Sequence, residues 1–494
     1  MATAAIDRVE IPAKARPARA DWIACAVIAL AVFVIRSPWI GDSNADIDEQ
    51  LYSLIGNAML EGQLPFVDLW DRKPFGLFAL FAGAHAIGGP GPEAYQVLAA
   101  LFTAAGAIMI YVLARTLVDR ATAAGAGLLY AMLMTTYGSH SGNSEGFFVP
   151  LMIAMALLVR DPAHPKAVAR ALLSMLIGGL ALQIKYTAVP QCLFFGLWAL
   201  WGQFRRGASP ARLVQLAAAF GALGLLPTVM VGASYALAGH WDAFLFANFT
   251  SFFDREASDA GRLYSDLALF LMPLAALAVG GLYAALRMGT LRDAKTYLFI
   301  ALWLLASLAT VFLPSTVYRY YFAAAVPATV LFALPLLDRR GPARFAPLAL
   351  VLAGSFYILY LPRQYEQSAE QRAAMDRLTS AIAPHVDGED ACLWIYDGPT
   401  SLYRLTGSCL PTRFIYPDHL NNALERHALG IVQEGEVARL LATRPPVIVT
   451  ADTEFTPQNE DAGALVKEAL AAGYREIANE TLHEREIRAW KRID

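Results

Sequence analysis

Between residues 22 and 361 the chain alternates long apolar runs with short polar breaks. The runs fall at 22–40, 94–114, 121–138, 146–159, 171–186, 187–204, 213–238, 266–286, 296–314, 320–337 and 345–361. A helix needs roughly 17–25 mostly apolar residues to cross a bilayer core, so the pattern predicts eleven membrane spans. The first run is long and no small-residue cleavage site follows it, which marks it as a retained span rather than a signal peptide. One further apolar run, Phe75 to Gly88, is short, carries His85 and follows Lys73-Pro74. It is expected to be an interfacial or re-entrant helix. Beyond residue 362 the pattern changes to that of a soluble domain. Strand-like runs at Ala391–Tyr396 and Pro446–Ala451 alternate with helix-like runs at Glu434–Ala442 and Ala462–Ala472.

Composition sharpens this division. Of the 494 residues, 57% are hydrophobic and 16% charged, whereas soluble domains carry about 25% charged residues. A soluble enzyme is excluded on that ground. Half of the 42 acids lie after residue 362, while 25 of the 39 Lys and Arg precede it. Basic residues collect on the cytoplasmic side of a membrane protein. With the N-terminus inside, eighteen of those 25 lie on the cytoplasmic side and seven on the outer side. Letting 75–88 cross would reverse every later loop and destroy the bias. The expected organisation is therefore a cytoplasmic tail (1–21), a polytopic all-α bundle of about eleven spans (22–362) whose first outer loop is 41–93, and an outer α/β domain (363–494).

Candidate chemistry concentrates in that first outer loop, which holds Asp42, Asp46, Asp48, Glu49, Glu61, Asp68, Asp71, Arg72 and Lys73. Ile47, Leu51, Leu54, Ile55, Ala58 and Met59 recur at helical spacing and predict an amphipathic helix on the membrane surface. Asp48 and Glu49 stand at its start, where a helix dipole favours carboxylates; they read equally as solvated acids of an N-capped helix. Cys392 and Cys409 fall in the outer domain, in an oxidising space. They are either a disulfide or two separate buried thiols. Cys25 and Cys192 lie in spans and read as packing residues. No repeat, zinc spacing, Walker loop or dinucleotide fingerprint is present, which argues against an ATP-driven pump.

The segment D-I-D-E-Q-L-Y, an apolar helix, and then G-Q-L-P-F-V-D-L-W-D-R-K-P-F resembles the first-loop signature of C-class polyprenyl-phosphate-sugar-dependent glycosyltransferases. The likeness is to bacterial relatives of the protein O-mannosyltransferases and of the lipid A aminoarabinose transferases. It falls on Asp48, Glu49, Tyr52, Gly62, Phe66, Asp68, Asp71, Lys73 and Pro74. N-S-E-G-F-F from Asn143 resembles the second-loop acidic motif. Y-R-Y-Y-F from Tyr318 resembles the late-helix motif, and L-Y-R-L-T-G at 402–407 resembles part of the outer domain. In aminoarabinose-transferase-like members an acid that serves a metal precedes the Lys-Pro. Here that position is Arg72, so no metal is expected there and lipid A aminoarabinose transfer is disfavoured.

The resemblance implies transfer of one sugar from a polyprenyl phosphate to an outer acceptor hydroxyl. Asp48 is the expected base, since the acceptor must lose a proton as it attacks the anomeric carbon. Developing charge on the phosphate calls for cations and hydroxyl donors: Lys73 first, then Arg319 with Tyr320 or Tyr321, and Arg255 from the 240–264 loop. Asn143 and Glu145 would hold sugar or acceptor hydroxyls, and Glu49, Tyr52 and Asp71 complete the substrate-binding set. Plainer roles exist for each. Lys73 anchors a helix among headgroups, Glu145 begins a span, Arg319 snorkels among interfacial tyrosines, and Arg255 and Arg262 solvate a loop. The expected partners are the lipid-linked donor, a lipid, polysaccharide or protein acceptor, and membrane lipids; no nucleic acid and no cofactor are expected. The expected location is a bacterial inner membrane. Two competing readings are a transporter or flippase for an envelope lipid or glycan, and a polymerase or ligase using diphosphate-linked glycans. Transporter folds place ionisable residues near the bilayer midplane, whereas here the charges gather at one face.

Overall fold

The computed structural model describes residues 18–256, 260–287, 293–314, 316–386 and 391–493, with backbone alone for 260–266. The basic residues at 8, 14, 16 and 292, and the side chain of Arg262, lie outside the described residues. Helices form at Arg19–Arg36, Pro92–Ala114, Arg120–Thr136, Ser144–Val159, Ala167–Leu182, Val189–Arg205, Pro210–Leu237, Ala260–Arg287, Ala294–Phe312 and Ala346–Leu359. Six helical stretches among the described residues are long and apolar enough to cross a membrane. The other expected spans are shorter apolar helices, apart from 320–337, which is broken. A 3-10 turn at Arg319–Ala325 leads into the short helices Val326–Phe332 and Leu334–Leu337. Pro327 and Pro335 each sit in the first turn of a piece, where a missing N–H is tolerated, and each prevents one continuous helix. The outer surfaces of the long helices are apolar: Leu30, Val229 and Leu350 are exposed. A lipid environment accounts for such a belt, and the chain is a polytopic membrane protein.

The two ends of the bundle are chemically distinct. At one end Asp21 accepts hydrogen bonds from Arg120 (2.9 Å) and Tyr111 (2.6 Å), and Arg339 reaches Asp119 at 2.8 Å. These ties join three segments that the charge count assigns to one side. The opposite end carries the first-loop acids and the C-terminal domain.

The chain reaches that domain along a polar helix, Leu361–Ile382. Its sheet comprises β1 (Trp394–Ile395), β2 (Val447–Ala451), β3 (Tyr474–Leu482) and β4 (Arg485–Arg492), in the order β1-β2-β4-β3. β1 and β2 are parallel; β4 is antiparallel to β2 and to β3. Helices Gln433–Ala442 and Glu460–Gly473 pack with it. The β3–β4 hairpin was not legible in the sequence. Its strands, YREIANETL and REIRAWKR, are charged on both faces, and the turn uses His483 and Glu484 at positive φ rather than a glycine. Trp70, 1% exposed, ties the two parts together. Its backbone N–H donates to the Arg413 carbonyl at 3.0 Å, and its ring packs on Phe414 and His419.

The Ile47–Leu60 helix forms as expected, but most of its apolar face is covered by protein rather than open to lipid. Leu51, Tyr52, Leu54, Ile55 and Ala58 are buried. The helix is pressed against Phe75–Gly88, where a Cβ at Gly56 would come within 2.8 Å of the Phe81 Cβ. Covered by protein over most of its length, it leaves Leu60, at its C-terminal end, exposed. Phe75–Gly88, at 14 residues, spans about 21 Å, against a bilayer core of roughly 30 Å.

Candidate active site

Asp46 caps the Ile47–Leu60 helix, its Oδ1 accepting from the backbone N–H of Asp48 (3.0 Å) and of Glu49 (3.3 Å). This fixes the next two acids on opposite errands. Glu49 turns into the bundle and is fully buried. It accepts from Gln96 Nε2 (3.0 Å), Tyr95 (3.3 Å) and the Gly142 N–H. Asp48 turns toward the C-terminal domain. Tyr52, one helical turn on, donates to its Oδ2 at 3.1 Å, and Lys73 Nζ stands 3.7 Å from the same oxygen. Tyr416, from the C-terminal domain, donates to Oδ1 at 3.0 Å. Lys73 also lies over the Tyr52 ring, 5.3 Å from its centroid.

The environments drive these acids apart. Burial by itself raises the Asp48 carboxyl, but Lys73, Tyr416, Lys185 and Tyr52 outweigh it and hold it below the usual range. Burial, reinforced by the neighbouring carboxylate of Asp48, pushes Asp46 up; burial and Asp46 push Glu49 up. Burial also raises Asp71, against the pull of Lys73. Burial opposes the charge on Lys73, yet Asp48 and Asp71 prevail and keep its ammonium above the ordinary lysine range. Asp48 is thus the acid of this cluster best held as an anion at neutral pH.

A second ion pair adjoins the first. Glu145 follows Asn143, whose Oδ1 accepts its N–H (3.3 Å) as the cap of Ser144–Val159. Glu145 pairs with Lys185, and both are buried. Lys185 Nζ sits 4.0 Å from the centroid of Tyr321 and 5.2 Å from that of Tyr320. A third group gathers around Glu425 of the C-terminal domain. Arg72 forks onto it, with one donor at 3.1 Å, and Arg255 Nε stands 2.7 Å from Oε1. The Arg255 guanidinium also reaches Tyr318 Oη at 3.5 Å.

The structure therefore brings together Asp48, Tyr52, Asp71, Lys73, Asn143, Glu145, Arg255, Tyr320 and Tyr321 around one end of the bundle. Glu49 is turned away to hold the 47–60 helix to its neighbours. Arg319 is also directed elsewhere, to the Thr136 carbonyl. Cys392 and Cys409 are joined by a disulfide. Lys185, Tyr416 and Glu425 were missed in the sequence. Only Lys185 carried a signal, a lone cation in the break between two apolar runs. Arg72, which immediately precedes the Lys-Pro, is held on Glu425. Among the described residues no three His, Cys, Asp or Glu side chains converge to hold a metal. A carboxylate held by phenols and beside an ammonium can accept a proton, while the surrounding cations can hold a phosphate.

Residues 72–231 match the family described as dolichyl-phosphate-mannose-protein mannosyltransferase. No curated protein sequence matches. Among solved structures the chain is similar to ArnT from Cupriavidus metallidurans bound to undecaprenyl phosphate, at 15% identity and a TM-score of 0.64, covering 96% of this chain and 98% of that one. The apo state of the same protein gives 14% identity and 0.65, over 95% and 98%. AglB from Archaeoglobus fulgidus, an archaeal oligosaccharyltransferase in complex with an inhibitory peptide and a dolichol-phosphate, gives 13% and 0.48, over 87% and 69%. The chain has the membrane fold of ArnT over almost its whole length.

Proposed function

We propose that the protein is an integral membrane glycosyltransferase that moves a single sugar from a polyprenyl phosphate to an acceptor hydroxyl on the outer side of a bacterial inner membrane. The observation that carries this reading is the Asp48 carboxylate, held between Tyr52, Tyr416 and Lys73 at the end of the bundle that bears the C-terminal domain. Support also comes from the fold shared with ArnT bound to undecaprenyl phosphate and from the mannosyltransferase family match. Asp48 takes the acceptor proton as the acceptor oxygen attacks the anomeric carbon. The bond from that carbon to the phosphate oxygen breaks, and Lys73 stabilises the negative charge left on the lipid phosphate. Attack opposite the leaving group inverts the anomeric centre. Arg255, Tyr320 and Tyr321 belong to the donor side, and Glu145 to the hydroxyls of sugar or acceptor. In this reading the eleven apolar segments cross the membrane, the N-terminus is cytoplasmic and residues 363–494 are periplasmic.

The test compares envelope glycolipids and glycans by mass spectrometry in cells with and without the gene. A polyprenyl-phosphate monosaccharide that accumulates in its absence, with one sugar missing from a surface glycan, names donor and acceptor together. A complete lipid-linked glycan stranded on the inner leaflet would show a flippase instead.

A further inference from the structure

Asp48 presents two oxygens in unlike surroundings. Oδ2 accepts a hydrogen bond from Tyr52 at 3.1 Å and lies 3.7 Å from the Lys73 ammonium. Oδ1 accepts from the Tyr416 hydroxyl at 3.0 Å. Oδ2 thus has an ammonium beside it that draws the negative charge to that oxygen. Oδ1, with two lone-pair sites, accepts among the described residues from Tyr416 alone and keeps one site for a further donor. Tyr416 belongs to the other part of the protein, 368 residues away in sequence, and its place is well defined. It immediately precedes the short Pro417–Asn421 helix. The loop before it is pinned where Arg413 O accepts the Trp70 N–H, and the Tyr416 ring packs on His419, 5.4 Å between centroids. Burial and the neighbouring Asp48 carboxylate raise the Tyr416 phenol well above its ordinary range, so it keeps its own proton and acts as a donor.

We propose that Tyr416 is a positioning residue of the C-terminal domain that fixes Asp48 so that its free Oδ1 lone pair receives the acceptor hydroxyl, placing the acceptor at the seam between the two parts of the protein. This rests on Asp48 being the base of the reaction proposed above and assigns its two oxygens: Oδ1 serves the acceptor, and Oδ2, with Lys73, faces the donor. In the step itself the acceptor O–H proton passes to Oδ1 while the acceptor oxygen bonds to the anomeric carbon. The electron pair of the breaking C–O bond leaves on the phosphate. Tyr416 holds Oδ1 through its own O–H and neither gains nor loses a proton. The C-terminal domain then contributes directly to the site rather than only covering it.

The experiment uses the full-length protein in membranes, with the donor and acceptor identified by mass spectrometry, and compares wild type, Tyr416→Phe and Asp48→Asn. Loss of one hydrogen bond to a charged group predicts a fall of about 10- to 100-fold in kcat/KM for the acceptor. The donor KM should stay within about twofold of wild type, and the protein should insert at wild-type abundance. Tyr52→Phe is the control for the other oxygen, and its loss should appear in donor use. If Asp48→Asn is inactive while Tyr416→Phe is fully active, or lowers donor and acceptor use alike, the proposal is overturned and the functional reading stands. If Asp48→Asn is itself active, the functional reading fails and the proposal with it. Should Tyr416→Phe fold poorly, Tyr416→Trp and hydrogen exchange of wild type answer the same question. Acceptor addition should slow exchange at 413–421 and donor addition should not; equal slowing by both would contradict the proposal.

Discussion

Replacing Glu425 by alanine should undock the C-terminal domain locally, because the residue carries the counter-charge for two buried guanidiniums. Its side chain is 7% exposed, and those of Arg72 and Arg255 are 18% and 14% exposed. Breaking a buried pair costs about 3–5 kcal/mol, mostly because the remaining charge is stranded. Here Tyr318 Oη still reaches Arg255, and both arginines keep some access to water. An expected cost of about 2–3 kcal/mol follows, a factor of roughly 30 to 150 in the local opening equilibrium. The adjacent Arg426 is the internal control. It is 39% exposed and pairs with Glu434 and Asp461, so its replacement by alanine should cost at most about 1 kcal/mol. The assay is hydrogen exchange of the full-length protein in detergent, read at two backbone amides that bond across the parts near Glu425, Trp70 N–H on Arg413 O and Glu256 N–H on Leu424 O. Glu425→Ala should lose protection at both amides by the factor given. A further Arg72→Met change should restore part of it, since one stranded charge is then removed. Protection unchanged in Glu425→Ala, or equal losses in Glu425→Ala and Arg426→Ala, would refute the reasoning.

Three further outcomes follow from the same geometry. Lys73→Ala should raise the donor KM more than the acceptor KM, checked by steady-state transfer with each substrate varied in turn, because its ammonium serves the phosphate side. Cys392→Ser should lower the stability of the C-terminal domain by about 3 kcal/mol, the loop-closure value for a bridge between residues separated by 17 in sequence, measured by denaturant unfolding. Burial raises Asp418 to about 6 in the folded protein. An acid raised in this way loses stability as pH climbs from its unfolded value near ~4 to about 6, and the loss is complete above that. Asp418→Asn should therefore unfold later than wild type at pH 7–8 and match it near pH 4, by thermal unfolding across pH.

How much was legible beforehand depends on the range of the interaction. The Ile47–Leu60 helix was readable because its apolar residues recur at helical spacing, and that spacing also puts Tyr52 one turn after Asp48. Lys73 was readable because it precedes a proline that starts the next helix. The burial of the 47–60 helix was not readable: the pattern that lays a helix on lipid is the same one that packs it under another domain. Tyr416 and Glu425 lie in the C-terminal part of the chain, and their roles depend on the docking of Trp70 against the 413–421 segment. Glu49 and Asp48 are adjacent in sequence and alike in charge. Only the three-dimensional positions of Gln96 and Tyr95 turn one inward as a structural tie and leave the other facing the C-terminal domain. Arg319 sits in the expected motif, but the 3-10 turn that begins there sends its side chain to the Thr136 carbonyl. The single long helix expected over 320–337 failed for a reason visible in the sequence, the prolines at 327 and 335, which hydropathy alone does not weigh.

The central claim is that Asp48 acts as an anion that accepts a proton, and Asp48→Asn tests it with almost no change in shape. The amide fills the same space beneath Tyr52 and Tyr416 but has no charge and little basicity. Transfer should then fall to background while the protein inserts at normal abundance, and the polyprenyl-phosphate sugar should build up in the envelope lipids of cells carrying the variant. Normal transfer by Asp48→Asn in the same cells, with no accumulated lipid-linked sugar, would contradict the account.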